Sequence, residues 1–360
     1  MFNAFHLPIN SVSFGQLATG FLRKLYAEGS TPSIFPIGNP DLSTQKGDSD
    51  FDKWLNDGIG KSQKIHSRGT PVFRLWHIAG SLESFSDEQH LFTFYELDQP
   101  TPTELNILRQ QKQVFVSSEY TKEVLETFGI QNVVKIPLYF DERNFHKTEK
   151  EYSKDRITFT IGGKFEKRKR HVKAIRAWLN KFGNNKDYVL QCAIQNPFLS
   201  EKDNTSLVNQ ITQGKNFFNL QFFGKMDTNV LYNDFLNSGD IVLGVSGAEG
   251  WGLPEFQSVG LGKHAVILNA HAYKEWANEE NAVMFNPNAK IEAYDDMFFH
   301  KGKPTNQGNI FDFDGDEFIS ACEKAIKRVE TSRVNTAGLK LVNDFSIDKF
   351  YYNIQSNSPS

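Results

Sequence analysis

The chain has 360 residues, of which 39% are hydrophobic, and its formal net charge is −3. The length predicts two domains, at about 150 residues each, and the apolar content is sufficient for a core in both. The small negative charge argues against a protein that binds polyanions through bulk electrostatics, so any phosphate site must be local.

Neither the cysteines nor the hydropathy pattern indicates a secreted or membrane-spanning protein. Cys192 and Cys322 lie far apart and lack the spacing of metal ligands, so we expect free thiols in a reducing cytosol. No apolar run approaches the roughly 20 residues that cross a bilayer, and the N-terminus lacks a signal-peptide pattern. We predict a cytoplasmic protein without an integral membrane segment, and a peripheral position at a membrane surface stays open as an alternative.

Short runs typical of β-strands alternate with helical patterns along most of the chain. Ser118 or Thr121 can cap one helix, which ends at Gly129, and a second helical pattern over 169–183 also ends at a glycine. This alternation predicts an α/β protein with parallel sheets and crossover helices. The strand-like runs are 73–78, 91–97, 114–118, 133–138, 156–163, 188–194, 220–224, 240–246 and 264–268.

A polar, charged stretch over 139–155 separates two such series and is the predicted domain boundary. We predict two Rossmann-like domains, 1–145 and 146–344, and a C-terminal segment, 345–360, that packs back on the first domain. Because ligands of open α/β sheets bind beyond the carboxyl ends of the strands, we expect the functional site in a cleft where the two domains face each other.

The segment 246–267 (SGAEGWGLPEFQSVGLGKHAVI) combines a glycine-rich loop with a predicted strand before it and a helix after it. Pro254 suits the first turn of that helix, where its missing N–H costs nothing. Gly247, Gly250 and Gly252 would let backbone amides approach a ligand, and the N-terminus of the helix would favour phosphate. The alternative interpretation is a tight strand-to-helix turn with incidental acids.

A second strand, glycine pair and helix start lie in 161–171 (IGGKFEKRKRH). Because cations at a helix start oppose the helix dipole, they are easier to explain if an anion binds there; a solvated basic face and a nuclear-localisation patch are the alternatives. One basic and one acidic loop in the same domain favour a nucleotide diphosphate with a hydroxyl-rich group attached, which lysines could neutralise without a metal. The basic residues are Lys164, Lys167, Arg168, Lys169 and Arg170.

The string EGWGLPEFQSVGLGKHAVI resembles the signature of retaining, nucleotide-sugar-dependent glycosyltransferases of family 4, which have the GT-B fold. The resemblance extends to GGKFEKRKRHVKAIRAW, VFVSSEYTKEVLETFGIQNVVKIPLYFDERNF and LQFFGKMDTNVLYNDFLNSGDIVLGVS, and it spans most of 90–345. It implies transfer of a hexose or pentose from a nucleotide sugar to a glycan or glycolipid, without a cofactor or metal. A UDP-sugar is the favoured donor, and GDP- and ADP-sugars are the alternatives.

The resemblance also implies roles for individual residues. Lys164 and Lys169 match the basic pair on the donor diphosphate, and Glu249 matches the first glutamate of the E-x7-E motif, which contacts the transferred sugar. Gly15 matches a flexible glycine loop near the donor and the acceptor. The further donor-binding positions lie in the two loops and the helix start: Gly163, Gly250, Trp251, Gly252, Leu253, Glu255 and Gln257.

Two positions depart from the family pattern. Gln257 replaces the second glutamate of E-x7-E, which usually holds the ribose hydroxyls; because an amide has a single carbonyl acceptor, ribose binding is expected to weaken unless Glu255 assists. Glu96 stands where many members carry a histidine near the transferred sugar, and we assign it a catalytic role. Asp98 and His77 are candidate contacts for the sugar or acceptor, although His77 equally fits an ordinary packed or surface histidine.

The implied mechanism is a front-face, ion-pair-like substitution, since no dedicated carboxylate nucleophile is evident; the protein would position the donor and stabilise the leaving diphosphate. Two rival functions stay open. One is glycosylation of a modified base in DNA, for which FLRKLY and 61–69 supply some positive charge and which requires aromatic side chains around a flipped base. The other is a non-catalytic protein that binds a sugar nucleotide or glycan, which Gln257 alone supports.

Overall fold

The computed structural model describes residues 2–153, 155–196, 199–295 and 298–359. The chain divides into two units, each with its own parallel sheet. Unit 1 comprises Met1–Asp141 and Phe345–Ser360, and unit 2 comprises Glu142–Asp344. Among the described residues, none of the helices combines the length and the apolar character that a bilayer-spanning segment requires.

Unit 1 is built on six parallel strands. They are β1 (Ala4–Pro8), β2 (Ser33–Ile37), β3 (Val72–Leu75), β4 (Gln89–Thr93), β5 (Gln113–Val116) and β6 (Val133–Lys135), and the helices between them are α1 (Ser13–Ala27), α2 (Ser49–Lys64), α3 (Pro102–Gln110) and α4 (Glu119–Thr127). The strand order is β2-β1-β3-β4-β5-β6. All residues of β1, β3 and β4 are buried, as expected for parallel strands that are covered on both faces.

Unit 2 contains a second six-stranded parallel sheet. Its strands are β7 (Ile157–Gly162), β8 (Tyr188–Ala193), β9 (Leu220–Phe222), β10 (Ile241–Gly244), β11 (His264–Leu268) and β12 (Val283–Phe285), and its helices are α5 (His171–Phe182), α6 (Glu201–Thr212), α7 (Asn229–Ser238), α8 (Leu253–Gly260), α9 (Gly315–Thr331) and α10 (Thr336–Asp344). The order β12-β11-β10-β7-β8-β9 is that of the Rossmann fold, in which the direction of winding reverses between the first and fourth strands. That point lies between β7 and β10.

An antiparallel hairpin, β13 (Pro287–Glu292) and β14 (Asn309–Phe313), stands between β12 and α9. The sequence patterns did not predict this hairpin, nor β1, β2 and β12. Several strand boundaries in the structure also differ from the predicted ones. The predicted strand over 91–97 ends at Thr93, and the one over 73–78 ends at Leu75. Consequently Glu96 and His77 lie in the connections that follow these strands.

The two predicted helices that depend on capping residues are confirmed. Ser118 is the N-cap of α4, and its side chain accepts a hydrogen bond from the Thr121 amide. The second helix, α5, ends at Gly183 as expected, but it begins only at His171 because the preceding residues form a 3₁₀ turn over Lys167–Lys169. The basic run therefore precedes the helix and does not lie within its first turn.

The last helix, α11 (Ile347–Ser356), belongs to unit 1 and packs against α1. Its anchor is Phe350, which is buried. The centroid of the Phe350 ring lies 5.1 Å from that of Tyr139, 5.5 Å from that of Phe21 and 5.8 Å from that of Phe92. Such tilted and edge-on contacts are the geometries that aromatic rings prefer in protein cores.

Replacement of this anchor tests the packing of α11. We expect Phe350→Ala to lower the free energy of unfolding by about 3–5 kcal/mol, since it removes a buried ring and leaves a cavity. Tyr352 on the same helix is 71% exposed, so Tyr352→Ala should cost no more than about 0.5 kcal/mol. Urea unfolding of the full chain measures both values, and equal costs for the two variants would contradict the packing described.

Candidate active site

Two loops meet at the point where the sheet of unit 2 reverses its winding. The first follows β7 and contains Gly163, whose φ of 113° is accessible to glycine but rarely to other residues. The second follows β10 and leads into α8, with Pro254 in the first turn of that helix. A Cβ at Gly162 would lie only 3.5 Å from Cβ of Pro254, so the two loops are in close contact.

A buried ion pair joins these loops. Lys169, in the 3₁₀ turn before α5, donates a hydrogen bond through Nζ to Oε1 of Glu249, which stands in the loop after β10. Nη1 of Arg168 lies 3.6 Å from the same carboxylate oxygen. The side chains of all three residues are less than 10% exposed, so these charges interact with little screening by water.

The opposite charges of Lys169 and Glu249 stabilise the ionised form of each residue. Burial by itself would raise the pKa of Glu249, but the charges of Lys169 and Arg168 outweigh it and hold that pKa well below its ordinary value. Burial would lower the pKa of Lys169, and the Glu249 carboxylate outweighs it, so the pKa of Lys169 is raised. Both groups are therefore charged at neutral pH.

The pair belongs to a chain of alternating charges that ends near the protein surface. The Glu166 carboxylate pairs with two cations. Its Oε1 lies 3.0 Å from Nζ of Lys164, and its Oε2 lies 3.1 Å from Nε of Arg168. The Lys164 side chain is 42% exposed, in contrast to the buried Lys169. Lys164, Glu166, Arg168, Glu249 and Lys169 thus form one network, which we call the charge network.

Sequence reasoning placed Lys164, Lys169 and Glu249 in the site, and the structure brings these three residues into the charge network. The sequence analysis did not identify Glu166, and it did not predict that the Arg168 side chain is directed into the protein. Nη1 of Arg168 also donates to the carbonyl of Ala248. The alternation of acid and base in KFEKRK was the available signal. The two other basic residues face the hairpin region: Lys167 lies over the Tyr294 ring, and Arg170 pairs with Asp312 at 2.6 Å.

Two glycines of the loop after β10 lie in close contact with other parts of unit 2. A Cβ at Gly247 would overlap the carbonyl of Phe311 in β14, and a Cβ at Gly252 would overlap the Tyr273 ring. Gly252 also has a φ of 85°, which most residues avoid. Contacts within the protein thus explain why glycine stands at these two positions, and the approach of their backbone amides to a ligand stays a prediction.

The backbone around Trp251 is also engaged. Its carbonyl accepts a hydrogen bond from Nε1 of Trp276 at 2.9 Å, and its ring packs on Phe256 in the core. Gly250 is buried, whereas Leu253, the first residue of α8, is half-buried. The Ncap residue of α8, Gly252, has no side chain to cap the helix, so the positive end of the helix dipole and its first amides suit an anion.

Glu255 and Gln257 lie on α8 and are both buried. The Glu255 side chain packs between α8 and the sheet. Its Cγ is 3.1 Å from the position that a Cβ would take at Gly244, and its Oε2 lies beside Gly252 near Tyr273. Burial and the Glu249 charge, opposed by Lys169, raise the pKa of Glu255. Oε1 of Gln257 has no hydrogen-bond partner among the described residues, so a buried acceptor is left for a donor from outside the chain.

The candidates in unit 1 follow its strands. Glu96 and Asp98 are half-buried and follow β4, and His77 is exposed and follows β3. The expected flexible loop at Gly15 is wrong, because Gly15 is the third residue of α1. Asn10 folds over that first turn and would overlap any Cβ at position 15, which explains the glycine.

Within the described ranges, no three side chains of His, Cys, Asp or Glu come together as ligands of a metal ion would. The anionic and cationic groups of unit 2 pair with each other instead. The chemistry of the charge network and of the start of α8 would suit an anion with attached hydroxyl groups, because cations can hold the charge and carboxylate or amide oxygens can accept from hydroxyls.

No protein-family model matches the sequence, and no curated protein matches it. Several solved structures, however, are similar to the chain. The chain is similar to sucrose-phosphate synthase from Thermosynechococcus elongatus, at a TM-score of 0.70 and 12% identity over 98% of this chain and 97% of that one. It is also similar to HepE of Anabaena in complex with UDP-glucose, at a TM-score of 0.65 and 12% identity over 98% of both chains.

A third similar structure is a UDP-forming α,α-trehalose-phosphate synthase from Burkholderia xenovorans, at a TM-score of 0.65 and 11% identity over 99% of this chain and 98% of that one. Identities this low show a shared fold. Together with the two six-stranded parallel sheets, they confirm the predicted fold class, an α/β protein of the GT-B type with two Rossmann-like domains.

A double-mutant cycle tests the buried ion pair. We expect Glu249→Gln to lower the free energy of unfolding by about 3–5 kcal/mol, because it leaves the buried Lys169 without its partner. Lys169→Met should cost less, because Arg168 still lies beside the carboxylate. The double variant should cost clearly less than the sum of the two, since it removes both charges. Urea unfolding at pH 7 measures the cycle, and strictly additive costs would mean that the two side chains do not interact.

Proposed function

We propose that the chain is a glycosyltransferase that moves a sugar from a nucleotide-diphosphate sugar to a glycan or glycolipid acceptor, with retention of anomeric configuration. The observation that carries the proposal is the charge network at the winding reversal of unit 2, next to the uncapped N-terminus of α8. In α/β sheets of this kind, ligands bind at that reversal, and phosphate groups bind at helix starts.

The chemistry of a nucleotide sugar suits these groups. The diphosphate would accept hydrogen bonds from Lys164, Lys169 and the first amides of α8, while Glu249 would accept from hydroxyls of the transferred sugar. The similar structures include HepE complexes with UDP and with UDP-glucose and a UDP-forming synthase, which supports a UDP-sugar as donor ahead of a GDP- or ADP-sugar. They offer no support for a modified base of DNA as acceptor.

The unusual Gln257 fits the same ligand. Its Oε1 is buried and has no partner among the described residues, and a ribose hydroxyl is a donor that would satisfy it. Oε2 of the neighbouring Glu255 lies beside Gly252 near Tyr273, and a carboxylate oxygen could accept from a second ribose hydroxyl. We therefore assign ribose binding to Gln257, with Glu255 as the assisting residue.

In the proposed reaction, the bond between the anomeric carbon and the β-phosphate oxygen breaks, and the pair of electrons leaves with the nucleoside diphosphate. The acceptor hydroxyl oxygen forms its bond on the same face, and its proton passes to the departing phosphate oxygen. Lys164 and Lys169 would stabilise the charge that develops on the diphosphate, which is the main barrier-lowering interaction available here. Water exclusion protects the reactive donor from hydrolysis.

Substitution of the partly exposed Lys164 tests this assignment and leaves the buried Glu166 with Arg168 as its partner. The wild-type chain should release nucleotide from one of the UDP-, GDP- or ADP-sugars, and Lys164→Met should lower that rate by about 100-fold, as expected when one group that stabilises a leaving group is lost. Lys167→Met is the matched control, three residues away in the same loop, because Lys167 faces Tyr294. Its rate should stay within about twofold of wild type.

Three results would each change the assignment. Nucleotide binding in a thermal-shift assay without any release of nucleotide would favour the non-catalytic binding protein. Neither binding nor release across the three nucleotides would overturn the proposed function. Inversion of the anomeric configuration of the product, measured by NMR, would contradict the retaining mechanism alone.

A further inference from the structure

The hairpin of β13 and β14 interrupts the Rossmann-like arrangement of unit 2. It stands between the last strand of the sheet, β12, and the helix α9, and its strands form a two-stranded sheet of their own. The alternation of strands and helices in a Rossmann-like unit does not require such a hairpin. Its contacts with the two loops of the candidate site indicate what it contributes.

Aromatic packing fixes the end of β14 to the core of unit 2. Phe313, the last residue of the strand, is fully buried. The centroid of its ring lies 5.5 Å from that of Phe285 in β12 and 5.6 Å from that of Phe318 in α9. Such edge-on and tilted contacts are favourable in protein cores. The two residues that precede Phe313 are therefore held in a defined position relative to the sheet.

The first of these two residues, Phe311, contacts the loop after β10. Its amide donates to the carbonyl of Gly247 at 2.8 Å, and the Gly247 amide donates in turn to the carbonyl of Arg168 at 2.8 Å. Arg168 lies in the 3₁₀ turn that also contains Lys169. The backbone of Gly247 thus links β14 to that turn, and Glu249 follows in the same loop.

The second residue, Asp312, contacts the loop after β7. Its Oδ1 lies 2.6 Å from Nη2 of Arg170 and 2.8 Å from Nζ of Lys173, and it also accepts from the Phe313 amide. The side chains of Asp312 and Arg170 are each 17% exposed, so water screens their pair only in part. Burial by itself would raise the pKa of the Asp312 carboxyl, but the hydrogen bonds from its three partners outweigh burial and lower that pKa.

Arg170 has a backbone conformation that is unusual for a residue with a side chain. Its φ of 57° and ψ of 18° lie in the left-handed region, which most residues avoid because Cβ approaches a carbonyl oxygen. Arg170 directly follows Lys169 and precedes α5, so its conformation determines how the chain turns into the helix. A conformation of this kind persists only when the surrounding structure supports it, and Asp312 supplies a contact that does so.

We propose that Asp312 is a positioning residue of the charge network. Its pair with Arg170 holds the left-handed conformation and so fixes the direction of Lys169. The amide of the adjacent Phe311 holds the loop that contains Glu249. The hairpin thus ties together the same two loops that the buried ion pair joins, and the view that this arrangement serves a bound diphosphate rests on the proposed function.

Calorimetric titration of Asp312→Ala with a nucleoside diphosphate and its monophosphate tests the role; UDP and UMP are used unless the wild-type chain prefers GDP or ADP. Charge alone predicts tighter binding of both, because the variant loses a negative charge among cations. Loss of positioning should instead weaken the diphosphate by about tenfold, since a displacement of about 1 Å can cost up to about 100-fold. The monophosphate, which lacks the β-phosphate, should change by less than about twofold.

Unchanged or tighter binding of the diphosphate would overturn the positioning role. Asp314→Ala is the matched control, because Asp314 lies two residues further on and caps α9 with its side chain. Its loss weakens a helix start of the same unit without removing a partner of Arg170. A tenfold loss of affinity in this control as well would show a general effect on folding and would also overturn the role.

A second variant tests whether Asp312 acts through the backbone of Arg170. Glycine adopts a φ near 57° without strain, so Arg170→Gly combined with Asp312→Ala should return the diphosphate affinity to within about threefold of wild type. Charge alone predicts the opposite, since the added substitution removes a cation. No recovery of affinity would overturn the role assigned to Arg170.

Hydrogen exchange of the full chain measures the two loops without a nucleotide. The amides of 163–171 and 245–252 should exchange faster in Asp312→Ala than in the wild type, while those of β8 should not, since exchange reports local opening. Unchanged exchange in both loops would overturn the positioning role. Failure of UDP, GDP and ADP to bind the wild-type chain would remove the proposed function, and the exchange result would still decide whether Asp312 positions the loops.

Discussion

The buried pair of Lys169 and Glu249 is the interaction on which the candidate site depends. Removal of two charges from water is costly, and their attraction offsets this cost only when the geometry is good and neighbouring groups satisfy the remaining hydrogen bonds. Here Arg168 supports the carboxylate and also donates to the carbonyl of Ala248. The pair therefore ties the loop after β7 to the loop after β10 and determines the conformation of both.

Such a pair is also suited to exchange partners. A diphosphate carries the same sign as Glu249 and could replace it as the partner of Lys169 without leaving the cation unsatisfied. Glu249 would then be left to accept from the hydroxyls of the attached sugar. The half-exposed Lys164 at the outer end of the charge network is available for the same anion at a smaller desolvation cost than the buried Lys169.

The fold was predictable to a large extent because parallel strands that are covered on both faces form continuous apolar runs. The runs at 156–163, 188–194 and 264–268 correspond closely to β7, β8 and β11. The first two strands were missed, since β1 and β2 are short and each includes a proline. The hairpin of β13 and β14 was missed because its two strands are far apart in the sequence and their pairing is a long-range property.

The charged residues of the site could be predicted from the sequence, whereas its packing contacts could not. The resemblance to the glycosyltransferase motifs identified Lys164, Lys169 and Glu249, three members of the charge network, because the residue types of a motif are visible in a sequence. The reasons for Gly247 and Gly252 were not visible, since they depend on Phe311 and Tyr273, which are distant in sequence and close in space. The same holds for the inward direction of Arg168 within a run of four basic residues, 167–170.

The central claim is that the charge network binds the diphosphate of a nucleotide. Calorimetric titration of the wild-type chain with UDP and UMP tests it most directly. We expect UDP to bind at least about 100-fold more tightly than UMP, a difference of about 2.7 kcal/mol from the β-phosphate, whereas equal affinities would contradict the account.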